Sequence, residues 1–172
     1  MSTQVTSSET VYSGKIFDVR VDRINENGSN YSREIVVHKG SAVILPVFED
    51  NTVALVRQYR HAAGASLLEI PAGTLDPNEP PEIGAARELE EEIGVRAANI
   101  ELLTEFYVSP GFLTEKMFLF RASGMTATAQ NLEEDEILTV ERYTFPQLRE
   151  MIANGTIQDA KTIIGILLSE PR

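Results

Sequence analysis

Gly73-Thr74-Leu75-Asp76-Pro77-Asn78-Glu79, followed after seven intervening residues by Arg87-Glu88-Leu89-Glu90-Glu91-Glu92-Ile93-Gly94-Val95, decides the reading of this chain. Pro80-Pro81 suits the start of a helix, and Gly94 suits its end. Within that helix Glu88, Glu91 and Glu92 are spaced i, i+3, i+4 and project from one face. Like charges at this spacing repel and destabilise a helix. A divalent cation removes the repulsion, and hard cations such as Mg²⁺ take carboxylate oxygens as ligands. The segment therefore reads as a metal platform, and a metal platform points to phosphate chemistry.

The bland alternative is a solvated acidic helix closed by a glycine cap. It accounts for the acidic run and for Gly94, but not for Gly73, Glu79 and Arg87 at their offsets. Chance agreement at all seven fixed positions is on the order of one in 10⁸ per starting point, at ordinary residue frequencies. The spacing resembles the signature of the Nudix hydrolase family at every fixed position. The resemblance runs from about residue 40 to the C-terminus. It implies an α/β fold, a Nudix-type α/β/α sandwich with mixed sheets.

Length and composition set the frame. A chain of 172 residues suffices for one domain, or one domain with a small appendage. With 26 acidic and 15 basic residues the formal net charge is −11, which disfavours nucleic acid as the main partner. A bound cation can reverse the local charge and still admit a phosphate-bearing substrate. The absence of cysteine excludes disulfides and thiolate metal sites. No apolar run reaches membrane-spanning length, and the first ten residues lack the layout of a secretory signal. The expectation is a cytoplasmic protein that does not engage a membrane.

Along the chain, strand-like runs at Val11–Ile24 and Tyr31–His38 flank Asn27-Gly28, a strong hairpin signal. Residues 1–38 are expected to form a small antiparallel β unit, and residues 39–172 the main domain. In the latter, strands are expected at Ser41–Phe48, Thr52–Tyr59, Leu67–Pro71, Ile100–Val108, Lys116–Ala122 and Ile137–Tyr143. Gly73–Asn78 reads as a loop. Helices are expected from Pro80–Pro81 to Ile93, over Phe145–Ala153 and over Gln158–Leu168.

The segment Leu68-Glu69-Ile70-Pro71-Ala72-Gly73-Thr74 is similar to the ADP-ribose pyrophosphatase branch of the family, as is Ser109-Pro110-Gly111-Phe112, whose Pro110 stands fifteen residues after Val95. The branch also carries an acidic loop after the box, matched by Glu133-Glu134-Asp135-Glu136. The resemblance implies metal ligands at Glu88, Glu92, Glu136 and the backbone carbonyl of Ala72, with Mg²⁺ or Mn²⁺ as the ion. Glu134 becomes the general base, although Glu134 and Glu136 could exchange roles and Glu133 is available. Glu91 and Arg87 complete the catalytic group, Glu91 as a third metal carboxylate and Arg87 as an orienting residue. Arg57, Arg60, Glu69, Pro110, Gly111 and Phe112 are assigned to substrate binding. Arg60 resembles an arginine that contacts phosphate in this branch.

The implied reaction is hydrolysis of ADP-ribose to AMP and ribose 5-phosphate. The alternatives are another nucleoside diphosphate sugar such as GDP-mannose, or a nucleotide-binding module without catalysis. Some members of the branch grip the base with tryptophans from a longer N-terminal region. This chain has none, so Phe, Tyr or backbone groups would replace them. The N-terminal β unit is too small to bury a core of its own. The branch exchanges this region between subunits, which implies a homodimer.

Overall fold

Strand β4 (Ser41–Pro46) is buried at every position. Its Ala-Val-Ile-Leu run carries no polar alternation, as expected of a strand covered on both faces. Helices α1 (Pro81–Ile93) and α3 (Ala160–Ser169) both pack against it. β4 lies in a four-stranded sheet of order β7-β4-β9-β8, where β7 is Ala72–Thr74, β8 Val95–Tyr107 and β9 Lys116–Ala127. Ala42 and Ile44 meet Ala85 and Leu89, one turn apart on α1, in a cluster shared with Phe120 and Ala122. Each fully buried Leu or Ile in such a cluster contributes roughly 2 kcal/mol.

A second sheet has the order β10-β5-β6, with β5 at Thr52–Arg60, β6 at Ala65–Glu69 and β10 at Leu138–Thr144. Both of its pairings are antiparallel. Helix α2 (Phe145–Ala153) packs on β10 and α3, and starts with a capping box in which the Thr144 N–H donates to Gln147 Oε1 at 2.9 Å. The result is a mixed α/β fold with three helices among the described residues.

The computed structural model describes residues 3–132 and 136–169. Two compact units emerge: Met1–Gly40 with Phe106–Met117, and Ser41–Glu105 with Phe118–Arg172. The first unit holds a three-stranded antiparallel sheet, β1 (Thr3–Ser13), β2 (Asp18–Glu26) and β3 (Ser29–Val37). The β2–β3 turn sits on Asn27 and Gly28, with φ of 52° and 86°, the left-handed pair that a tight hairpin requires. In the same unit the Val36 N–H donates to Phe112 O at 2.7 Å, and the Thr114 N–H to Val36 O at 3.0 Å. No helix among the described residues is long and apolar enough to cross a membrane.

Three elements depart from the expected pattern. β1 starts ahead of the expected run Val11–Ile24, which the structure divides between the end of β1 and β2; all eleven residues of β1 are exposed, so no alternation marks its start. β7 takes in the first two residues of the expected loop, Gly73 and Thr74, which pair with Ala42 and Ser41 of β4. β8 begins at Val95, directly after the helix cap, since Val95, Ala97 and Ile100 all pack on the α1 cluster.

Candidate active site

Helix α1 begins with Pro80 as its cap and Pro81 in its first turn, and ends at Gly94 with φ 66°, where the Gly94 N–H returns to Glu90 O at 3.0 Å. Between these ends the helix buries Ala85 and Leu89 in the core, and with them Glu88 and Glu92. Each acid stands three residues after an apolar anchor, so burying that stripe carries the acids inward with it.

Arg87 ties the signature residues together. Its Nε and Nη2 donate to the two oxygens of Glu79, each at 3.0 Å, and its Nη1 donates to Glu88 Oε1 at 2.6 Å and Glu91 Oε2 at 2.9 Å. Glu79 in turn accepts the Asp76 N–H at 3.0 Å, which closes the loop ahead of the helix. The three carboxylates hold the guanidinium charged and raise its pKa, while Arg87 holds the Glu79 carboxyl below its usual value. Strand β7 crosses directly over Glu88. A Cβ built on Gly73 would lie 1.8 Å from Glu88 Oε1. Gly73 is therefore required for close approach, whereas Gly94 is required for its left-handed backbone.

Glu88 and Glu92 are 6% and 2% exposed. Burial pushes the Glu88 carboxyl up to about 7, against the pull of Arg87. Burial, and then the charges of Glu88 and Glu136, push Glu92 up to about 8; Arg60 and the Ala72 N–H pull the other way. Glu92 Oε2 is buried and has no hydrogen-bond partner among the described residues. Burying an unpaired carboxylate oxygen is costly, and here two neighbouring carboxylates, Glu88 and Glu136, reinforce that cost.

Beside Glu92, Arg60 at the end of β5 lies along Glu69 of β6, with Nε and Nη2 donating to the two carboxylate oxygens at 2.8 Å each. Glu69 is closed off from solvent, and Lys161 of α3 donates to its Oε2 as well. Arg57 stands an odd number of residues from Arg60, so strand alternation points it to the other face. There its Nε donates to Glu141 Oε1 at 2.6 Å, and Tyr143 Oη donates to the same carboxylate.

The NUDIX domain family model matches residues 38–164, well over half of the chain. The chain belongs to the Nudix hydrolase family. It is 36% identical to the methanol dehydrogenase activator of Bacillus methanolicus, over 92% of this chain and 88% of that protein. It is also 36% identical to the ADP-ribose pyrophosphatase of Bacillus subtilis (strain 168), over 93% of this chain and 88% of that protein. A crystal structure of an ADP compounds hydrolase superposes with a TM-score of 0.85, covering 98% of this chain and 92% of its own at 22% identity, which establishes the shared fold.

Nudix pyrophosphatases generally need a divalent metal, and the buried acids fit one. Glu88 and Glu92 are a turn apart, their charges repel, and Glu92 keeps an unpartnered oxygen. Among the described residues no three acidic or histidine side chains are already gathered as a cage. A two-carboxylate nucleus suits Mg²⁺, which keeps several waters and fills its octahedron with substrate phosphates. Glu136 is close enough for its charge to act on both Glu88 and Glu92.

Of the remaining sequence candidates in this Nudix hydrolase, Glu134 lies outside the described residues, as do Glu133 and Asp135. Pro110, Gly111 and Phe112 belong to the first unit, and Glu88 and Glu92 to the second. Sequence reasoning missed Lys161 and Asp159. A lysine in the first turn of an apolar helix gives no signal of burial, and its partner Glu69 is 92 residues away.

The close crossing at Gly73 gives the first expected result. In Gly73→Ala the new methyl displaces the end of the Glu88 side chain, which yields more easily than the backbone. A displacement of about 1 Å at such a position costs roughly 100-fold in turnover. kcat/KM is expected to fall by about that factor, with little change in melting temperature. A fully active variant would show that Glu88 is not needed where it stands.

Proposed function

We propose that this Nudix hydrolase is a Mg²⁺-dependent pyrophosphatase that converts ADP-ribose and water to AMP and ribose 5-phosphate. The observation that carries the reading is the buried Glu88–Glu92 pair, with the orphaned Glu92 Oε2 next to the half-exposed guanidinium of Arg60. Buried acids supply cation ligands, and a planar guanidinium suits a phosphate. Similarity to the B. subtilis pyrophosphatase supports ADP-ribose as the substrate.

Glu88, Glu92, Glu136 and the carbonyl of Ala72 would hold the cation, which when bound neutralises the diphosphate and lowers the pKa of water. Arg60 binds a phosphate oxygen, and Glu69 holds its guanidinium from the buried side, whereas Arg57 stays on Glu141 at the other face of β5. Glu134 takes the proton of the attacking water. The water oxygen bonds to one phosphorus of the P–O–P bridge, and the bridging oxygen leaves on the other phosphate. Arg87 touches neither phosphate; it orients Glu88 and Glu91.

The same reading places the enzyme in the cytoplasm as a homodimer, with residues 1–38 as a dimerising and substrate-contacting β unit and residues 39–172 as the hydrolase domain. Val5, Val11 and Tyr12, more than half exposed on β1, supply apolar surface for a second copy.

The test is product analysis with Mg²⁺ and a panel of ADP-ribose, GDP-mannose, NADH, diadenosine polyphosphates and nucleoside triphosphates. Preferential AMP release from ADP-ribose is expected. Preference for GDP-mannose would keep the chemistry and replace the substrate. No turnover on any member would favour a binding module. Light scattering on the same sample is expected to give twice the 19.0 kDa chain mass, and a monomer would remove the dimer.

A further inference from the structure

Behind Arg60 the first turn of α3 grips the segment that leads into Gly73. Lys161 Nζ donates to Glu69 Oε2 and, at 3.0 Å, to Asp159 Oδ1. Asp159 Oδ2 accepts the Thr162 N–H at 3.0 Å and the Thr162 hydroxyl at 2.6 Å, and Thr162 Oγ1 accepts the Ile70 N–H at 2.9 Å. Two consecutive residues, Glu69 and Ile70, are thus tied to one helical turn. The turn of chain at Pro71-Ala72-Gly73 follows immediately.

A buried lysine is a poor device for stability alone, because its desolvation offsets what its ion pairs return. Its geometry suits another purpose. Arg60 is held on Glu69 by its Nε and Nη2 edge, and its Nη1 has no partner among the described residues. The side chain is 40% exposed, and its charge acts on Glu92. A carboxylate held only by Arg60 could swing with it. Pinned from behind by Lys161, Glu69 becomes a fixed base, and the free edge of the guanidinium keeps one direction.

We propose that Lys161 is a positioning residue: through Glu69 it fixes Arg60 beside Glu92, so that the open edge of the guanidinium meets the substrate diphosphate. This rests on the pyrophosphatase reading above.

The test is a double-mutant cycle of Lys161→Met and Arg60→Ala, run with Mg²⁺ on whichever diphosphate the wild type hydrolyses best. Lys161→Met is expected to raise KM by about 10-fold or more, with kcat little changed, the scale of one charged hydrogen bond. The double variant is expected to be no worse than Arg60→Ala, since Lys161 acts only through Arg60. If Lys161→Met does not fold, Lys161→Gln, which keeps a donor toward Glu69, runs the same cycle. Factors that multiply in the double variant, or a lower folded fraction with unchanged KM, would overturn the positioning role and leave the pyrophosphatase reading standing. A wild type silent on every diphosphate would defeat that reading and this inference with it.

Discussion

Glu92→Gln is expected to lower kcat by about three orders of magnitude while raising the melting temperature of the cation-free protein. The first effect follows from charge: the stabilisation supplied at a metal-assisted phosphoryl centre amounts to several kcal/mol, and each 1.36 kcal/mol is tenfold in rate. The second follows from burial. Glu92 is 2% exposed, has a buried oxygen without a partner, and feels the charges of Glu88 and Glu136. An amide of the same shape removes the charge, and its carbonyl can still accept the Ala72 N–H. The check is steady-state kinetics with Mg²⁺ beside a thermal melt in EDTA at pH 8. Loss of activity together with a lower melting temperature would make Glu92 a structural residue.

The second large effect is on the pH dependence of stability. In the folded chain Glu88 titrates near 7 and Glu92 near 8, against about 4.3 for an unfolded glutamate. Between those limits the folded state binds more protons than the unfolded state, so stability falls as pH rises. Groups such as Glu79 and Asp50, whose pKa is lowered on folding, act the other way and cost stability only below about pH 4.5. In EDTA the melting temperature is therefore expected to be highest near pH 4.5–5 and to drop by at least about 10 °C by pH 8.5. Saturating Mg²⁺ should abolish or invert that slope, because the cation binds the ionised carboxylates of the folded state. A flat profile in EDTA would mean that neither acid is strained in the folded protein.

Helix α1 was legible almost to the residue. Its start and stop are set locally by Pro80-Pro81 and Gly94, and its function by offsets that no solvated helix needs. The Asn27-Gly28 hairpin was legible for the same reason, since its backbone requirement is written in two residues. β1 was not, because a strand exposed on both faces has no reason to alternate. The role of Gly73 was only half visible. The signature fixed its position, but a need for space rather than for an unusual φ emerges only where β7 crosses Glu88. Lys161 was invisible because its meaning depends on Glu69, brought near by the packing of α3 on β6.

The two sides of the site also differ in when they can come into being. Glu88, Glu91 and Glu92 lie within two turns of a single helix, a local arrangement that closes no long loop. The pairing of Glu69 with Lys161 closes a loop of 92 residues and must wait until the intervening chain is in place. The acidic side of the site thus depends on local chain order, and the side that holds Arg60 on a long-range contact. A truncation or an interruption of the chain anywhere between Glu69 and Lys161 therefore strikes the phosphate side of the site even where helix α1 is left whole.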